Sequence, residues 1–497
     1  MLGGIEDDCR CARDGRQGFL ACGAGGHPMT SDELGFEGVP FIPDRNDGTP
    51  PQPSTGPANP CGTSLPAPRA QTGAPLIGDM TEAVRRAHHA VLEAQQAMQD
   101  VLLAQAESFT TTRADHPAAP AMSTGEPALM HELHMAHLAD GDLCLAYGIS
   151  THCTSAQVRP RLPRGDLLML SRSSTGVSKK ADYEVGMVVE TEFDVPCDAW
   201  FCHQDGSGGT PAVFFMESSL QAAAFCGVVS GVHLEYPDDD LCVRNLEGHG
   251  QVVRDMDPRG RTVRQRTTLL AHSPMPGAII QRYGYELELD GEVFYTGETS
   301  HGYFTAPMLA RQQGLDNGRR MPTWLDTQGD QDNVRRLDLG FDKRLGEGRL
   351  ALLGQVDLVP DGGTHGLGYL RCTKEVRADD PLFDLHFLHD PVMPGSFGVE
   401  TLHRLVRAFA LYTGVTEGIT APRFTLAPGT RHHWAYRGQI LRHHQESTFE
   451  IHIREARRTG KHLFLRAEGS VWCDGLRIYR VDDIVIEARP GHEDGTR

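Results

Sequence analysis

Two segments of the chain set a histidine, a proline-led helix start and a glutamate at one common spacing. The first runs from His386 through Pro394 and Gly395 to Glu400; the second runs from His203 through Pro211 and Ala212 to Glu217. In both, seven residues separate His from Pro and four separate Gly or Ala from Glu, so the set repeats without a gap. A loop histidine can remove a proton, and a carboxylate one turn inside a helix can deliver one. The unpaired N–H groups at the helix start can hold a developing negative charge. These are parts that an acid/base enzyme can use.

Such parts need a scaffold, and the flanking sequence predicts one. Runs rich in Val, Leu, Ile, Tyr and Phe alternate with polar residues in GMVVETEFDV (186–195), YELELDGEVFYTGE (285–298) and FEIHIREA (449–456). That period marks strands of an antiparallel sheet. Each half also carries one helix with a broad apolar surface. After Pro394 the residues Leu402, Leu405, Val406 and Phe409 fall at helical spacing, and after Pro211 so do Phe214, Leu220, Ala224 and Val228.

The stretch HFLHDPVMPGSFGVE (386–400) resembles the active-site segment of the hot-dog-fold 3-hydroxyacyl-ACP dehydratases of the β-hydroxydecanoyl-thioester type. YRGQILRHHQESTFEIHIREARRTGKHLFLRAEGSVWCDGLRIYRVDDIVIEA (436–488) resembles the last strands of that fold, and PRLPRGDLLMLSR (160–172) resembles its opening strand. Two fused copies are similar to the dehydratase regions of bacterial polyunsaturated fatty acid and related glycolipid synthases. The likeness covers roughly residues 150–490. It implies an α+β double hot dog, two antiparallel sheets each wrapped around a central helix, as a covalent version of a homodimer. The expected division is a disordered tail over 1–78, a helix and linker over 79–128, a first hot dog over 129–335 and a second over 336–492.

The resemblance also implies roles. In this family the histidine and the acid come from opposite hot dogs, which pairs His386 as base with Glu217 as acid. Gly395 is then the oxyanion donor and Gln221 a positioning residue. His203 and Glu400 form the other pair, where Arg404 stands at the place that Gln221 holds after Glu217. Whether that pair is a second active centre or a degenerate one stays open. Glu217 lies amid Phe214, Phe215, Met216 and Leu220 and is expected to be buried; Glu400, beside Thr401, His403 and Arg404, is expected to be more exposed. The implied activity is dehydration of 3-hydroxyacyl thioesters, with room for double-bond isomerisation by the same base. The substrate would ride on the phosphopantetheine arm of an acyl carrier protein, with other synthase components acting in trans, or the chain would be a piece of a larger system. A homodimer is left open. No metal or redox cofactor is expected, because eliminating water needs only acid, base and an oxyanion hole. A hot-dog thioesterase and a non-catalytic acyl-carrier-binding scaffold are the alternatives.

Composition sets the outer limits. With 497 residues, 39% apolar and 23% charged, the chain has material for two or three domains with ordinary cores. A net charge of −19 argues against nucleic acid and makes an acidic carrier an awkward partner. Docking would need a local basic patch, for which Arg159, Arg161 and Arg164 or the pair Arg319 and Arg320 are the candidates. No run approaches the roughly 18–20 apolar residues of a membrane span, and no secretory leader is evident, so a soluble cytoplasmic protein is expected. The twelve cysteines form no small-scaffold framework, so reduced thiols are the expectation.

Residues 1 to about 77 are rich in Gly, Pro and Asp, and Cys9, Cys11, Cys22 and His27 there lack zinc-module spacing. Asp79 and Glu82 suit a capping box for a helix through Val84, Ala87, Val91, Ala94, Met98 and Val101. His131, Glu132, His134 and His137 miss the zinc-protease pattern, because Met135 stands four residues after His131. Ser396 lacks a Gly-x-Ser-x-Gly elbow, and Gly362, Gly363, Gly366 and Gly368 make no nucleotide fingerprint. His432, His433, His443 and His444 are expected at the surface.

Overall fold

The computed structural model describes residues 121–147 and 158–491, apart from 179, 180, 182, 330 and 331. The tail expected over 1–78 and the helix expected from Asp79 lie outside the described residues.

Alternating sequence becomes antiparallel strand throughout. The first half supplies β1 (Arg172–Ser173), β2 (Val188–Asp194), β3 (Leu241–Val252), β4 (Thr262–Met275), β5 (Ala278–Leu289) and β6 (Glu292–Thr305). The second supplies β7 (Arg335–Asp338), β8 (Gln355–Val359), β9 (Tyr369–Glu375), β10 (Pro422–Leu426), β11 (Arg431–Tyr436), β12 (Glu446–Thr459), β13 (His462–Cys473) and β14 (Leu476–Pro490). They form one sheet in the order β1-β2-β4-β5-β6-β3-β11-β14-β13-β12-β9-β8-β7, with β10 on β14. The halves join where β3 meets β11, in register from Gln251↔Arg431 to Glu247↔Ala435.

Each half wraps its strands around one 18-residue helix, α1 (Ala212–Val229) or α2 (Gly395–Tyr412). The architecture is a double hot dog. Prolines 211 and 394 stand at the two N-caps, where a missing N–H costs nothing. The chain leaves α1 through Gly231, whose φ of 86° only glycine adopts without strain. Around α2, Leu402, Leu405, Val406 and Phe409 pack with Ile451, Ile453, Leu465, Val481 and Ile484. Around the first turns of α1, Phe214 and Phe215 pack with Phe201, Phe294 and Tyr295.

The helix α1 is apolar on every side and buried except at Leu220 and Ala224. By length and composition it could cross a membrane, which corrects the expectation that no run reaches that size. Here it is a core helix, the other setting in which an all-round apolar helix is stable. The two residues that escape burial mark where a cleft opens.

Candidate active site

A cleft opens between the halves, lined by Glu217, Leu220, Gln221 and Ala224 of α1, by His386 in the loop before α2 and by Gly395 and Ser396 at its start. Val243, Arg244 and Asn245 of β3, His301 of β6 and Tyr436 of β11 form its sheet side. The structure therefore brings His386, Glu217, Gly395 and Gln221 to one place.

Each helix sends its glutamate to the start of the other. Glu217 hydrogen-bonds with Ser396 Oγ through Oε1 and accepts from Gln221 Nε2 at 2.8 Å through Oε2. Gln221 cannot be turned around. Its Oε1 accepts the Met169 N–H at 2.7 Å, so its Nε2 must donate, to Leu167 O at 2.8 Å and to Glu217. Glu217 Oε2 is thereby fixed as an acceptor, and the proton of its acid form belongs on Oε1, facing Ser396. Burial pushes the Glu217 carboxyl above its usual range, against the Ser396 and Gln221 hydrogen bonds that favour the anion.

His386 follows a short helix, Leu382–Leu385, and is partly buried. Its Nδ1 lies 3.1 Å from Val392 O, which makes Nδ1 the donor and leaves Nε2 as the basic nitrogen. Desolvation pulls its pKa down to about 4, the Val392 carbonyl opposing, so the ring is neutral at physiological pH. The loop is pinned from the other half, because Arg244 grips Asp390 at 2.6 and 2.7 Å. Gly395 is the first residue of α2, and a Cβ there would come 2.9 Å from the Tyr436 ring, closer than side chains tolerate. Glycine keeps that helix start open to the cleft.

The second pair is arranged differently. His203 is exposed, whereas Glu400 is completely buried, which reverses the expectation that Glu400 faces solvent. Its Oε1 pairs with Arg404 Nε at 2.6 Å, and its Oε2 accepts the Val213 N–H at 3.1 Å, at the start of α1. Arg404 also holds Asp205 Oδ1 at 2.9 Å, which Arg407 approaches at 2.8 Å. Burial would push the Asp205 carboxyl up, but Arg407 and Arg404 hold it below its usual range. At this helix start Glu400 belongs to a buried ion-pair network with Arg404, Asp205 and Arg407.

Other expectations change too. Arg159, Arg161 and Arg164 do not form a basic docking patch: Arg159 donates to Tyr236 O and Asp239 O, Arg161 to His137 O and Gly141 O, and Arg164 pairs with Asp140. Arg319 and Arg320 do lie at the surface. His432 is buried beside Tyr295, its Nε2 3.2 Å from the phenol oxygen, whereas His433 and His443 are exposed. His131 and His134 cap the helix Glu132–Ala139 reciprocally. Among the described residues, His444, Cys473 and Asp474 lie close enough to share an ion, but His444 Nδ1 accepts the Leu441 N–H and Asp474 Oδ1 those of Gln445 and Glu446. Cys197, Cys202, Cys226, Cys242, Cys372 and Cys473 carry no disulfide.

A family model described as a FabA-like domain matches residues 345–482. This segment is similar to that family. The FabA-like segment contains His386, Gly395 and Glu400, whereas Glu217 and Gln221 come from the half outside it. The chain is 34% identical, over an alignment of 324 residues that covers 60% of it, to a polyunsaturated fatty acid synthase polypeptide of Thraustochytrium sp.. The match spans only 21% of that polypeptide's length. Among solved structures, the dehydratase heterocomplex of Xenorhabdus doucetiae is 21% identical, covering 30% of this chain and 92% of that one at a TM-score of 0.23. The 12:0-ACP thioesterase of Umbellularia californica is 11% identical, covering 61% and 94% at a TM-score of 0.33.

Sequence reasoning missed Ser396, Arg244, Asp390 and Tyr436. Ser396 had a signal, since it occupies the second position of α2 as Val213 does of α1, where a hydroxyl can meet the opposite glutamate.

Proposed function

We propose that the chain is a lyase that dehydrates 3-hydroxyacyl thioesters to 2-enoyl thioesters at a single site between its halves. The observation that carries this reading is the meeting of Glu217 and His386, from opposite halves, in one cleft at the start of α2. His386 Nε2 takes the proton from the carbon next to the carbonyl, and the electron pair moves toward the thioester oxygen. The Gly395 N–H, at the positive end of α2, stabilises that oxygen. The pair returns to form the double bond, the carbon–hydroxyl bond breaks, and Glu217 gives its proton to the departing oxygen as water. Histidinium and carboxylate then exchange a proton through solvent to reset the site. Burial suits both groups to these tasks, since it keeps the imidazole neutral and favours a protonated glutamate.

The substrate is taken to arrive on the phosphopantetheine arm of an acyl carrier protein, with other synthase components as partners. This rests on the resemblance of the His386 segment and on the similarity to a synthase polypeptide. No metal or redox group is required by these steps. The test is incubation of the chain with 3-hydroxyacyl carrier-protein thioesters of several lengths, with mass detection. Loss of water from the acyl group supports the reading. Release of free acid indicates a thioesterase, and binding without turnover indicates a scaffold.

A further inference from the structure

Among the described residues, two that line the cleft carry a buried side-chain atom without a hydrogen-bond partner: Tyr436 its hydroxyl oxygen and His301 its Nδ1. Buried polar atoms in folded chains are nearly always paired, so an orphan hydroxyl beside reacting groups points to a partner that comes and goes. Tyr436 ends β11, is 5% exposed and packs against Tyr479 with ring centroids 4.4 Å apart. That packing leaves its ring no freedom to carry the hydroxyl to solvent. The oxygen lies 3.3 Å from where a Cβ on Gly395 would sit, next to the first N–H of α2.

We propose that Tyr436 is a catalytic residue whose hydroxyl donates to the thioester carbonyl oxygen, beside the Gly395 N–H. The proposal rests on the dehydratase reading and deepens it. When His386 removes the proton, the electron pair moves onto the carbonyl oxygen, and two donors then face the charge instead of one. The phenol keeps its proton throughout, because burial, with Tyr479 and Glu217 nearby, holds it well above its ordinary range.

The experiment is Tyr436→Phe in the full chain, which removes the hydroxyl and keeps the ring. Loss of one oxyanion donor is expected to lower kcat by on the order of 10²-fold, with KM within about twofold of wild type. The melting temperature of the free protein should stay level or rise, because an unpaired buried hydroxyl has been removed. A merely structural tyrosine predicts the opposite, a lower melting temperature with a raised KM, and that outcome overturns the proposal. Unchanged kcat in a wild-type background that dehydrates also overturns it, while leaving the dehydratase reading intact. Independently of turnover, the infrared carbonyl stretch of a ¹³C-labelled 2-enoyl pantetheine thioester is compared in His386→Ala with and without Tyr436→Phe. A higher frequency without the hydroxyl supports the donor role, and identical frequencies contradict it.

Discussion

Glu400 is tied to Arg404, one turn further along the same helix, by a 2.6 Å ion pair in which neither side chain is exposed. The pair sets the surroundings of the two glutamates apart. Where Glu217 meets a neutral amide and a hydroxyl, Glu400 meets a guanidinium, and the charge left over is completed by Asp205 and Arg407. Removing one member of such a network leaves uncompensated buried charge. Arg404→Ala is therefore expected to destabilise the fold by about 3–5 kcal/mol, read as a lower urea midpoint with an unchanged slope. A loss under about 1 kcal/mol would show that the network contributes as little as a surface pair.

Gln221 offers a pH test. Its Nε2 donates to Glu217 and so favours the anion, and burial acts in the other direction. In Gln221→Leu the donor is gone, and the Glu217 pKa rises further. Because Glu217 works in its protonated form, the alkaline limb of the kcat/KM profile should move to higher pH, while kcat falls as the carboxyl loses its orientation. The acid limb belongs to His386, which protonates only near its pKa of about 4, and should not move. A limb that shifts downward in pH would exclude Glu217 as the titrating acid.

Desolvated histidines are expected to govern the acid stability of the fold. His386 and His432 are lowered to about 4 and His301 to about 3, all chiefly by desolvation, from an ordinary value of 6.5. As pH falls through 6.5 the unfolded chain takes up protons that the folded chain refuses, so stability present above that pH is lost toward the folded values. Each histidine contributes up to about 1.4 kcal/mol per pH unit in that window. The urea midpoint should fall between neutral pH and about pH 5, and His301→Gln should flatten the fall. An equal slope in that variant would mean that His301 is accessible to protons in the folded state.

Local pattern made much of the fold legible. Proline before an apolar helix, period-two runs and the ungapped His–Pro–Glu repeat located α1, α2 and parts of β2, β5, β6 and β12, whereas β13 and β14 were reached through the family resemblance. What stayed hidden depends on contacts between distant residues. Nothing local to Glu400 announces that Asp205 lies across from Arg404, and nothing local to Arg159 or Arg161 announces the carbonyls they hold. His432 looked like one of several edge histidines, but it sits on the side of β11 that meets Tyr295. Ser396 was weighed against a nucleophile motif when its partner is a glutamate 179 positions away.

The most direct measurement compares dehydration of a 3-hydroxyacyl carrier-protein thioester by wild type, His386→Ala, Glu217→Gln and His203→Ala, each folded by circular dichroism and followed by product mass. The account predicts loss of water with wild type and His203→Ala at equal rates, and a fall of on the order of 10²–10⁴-fold in each of the other two. Dehydration that survives His386→Ala and disappears with His203→Ala would contradict it and move the chemistry to the start of α1.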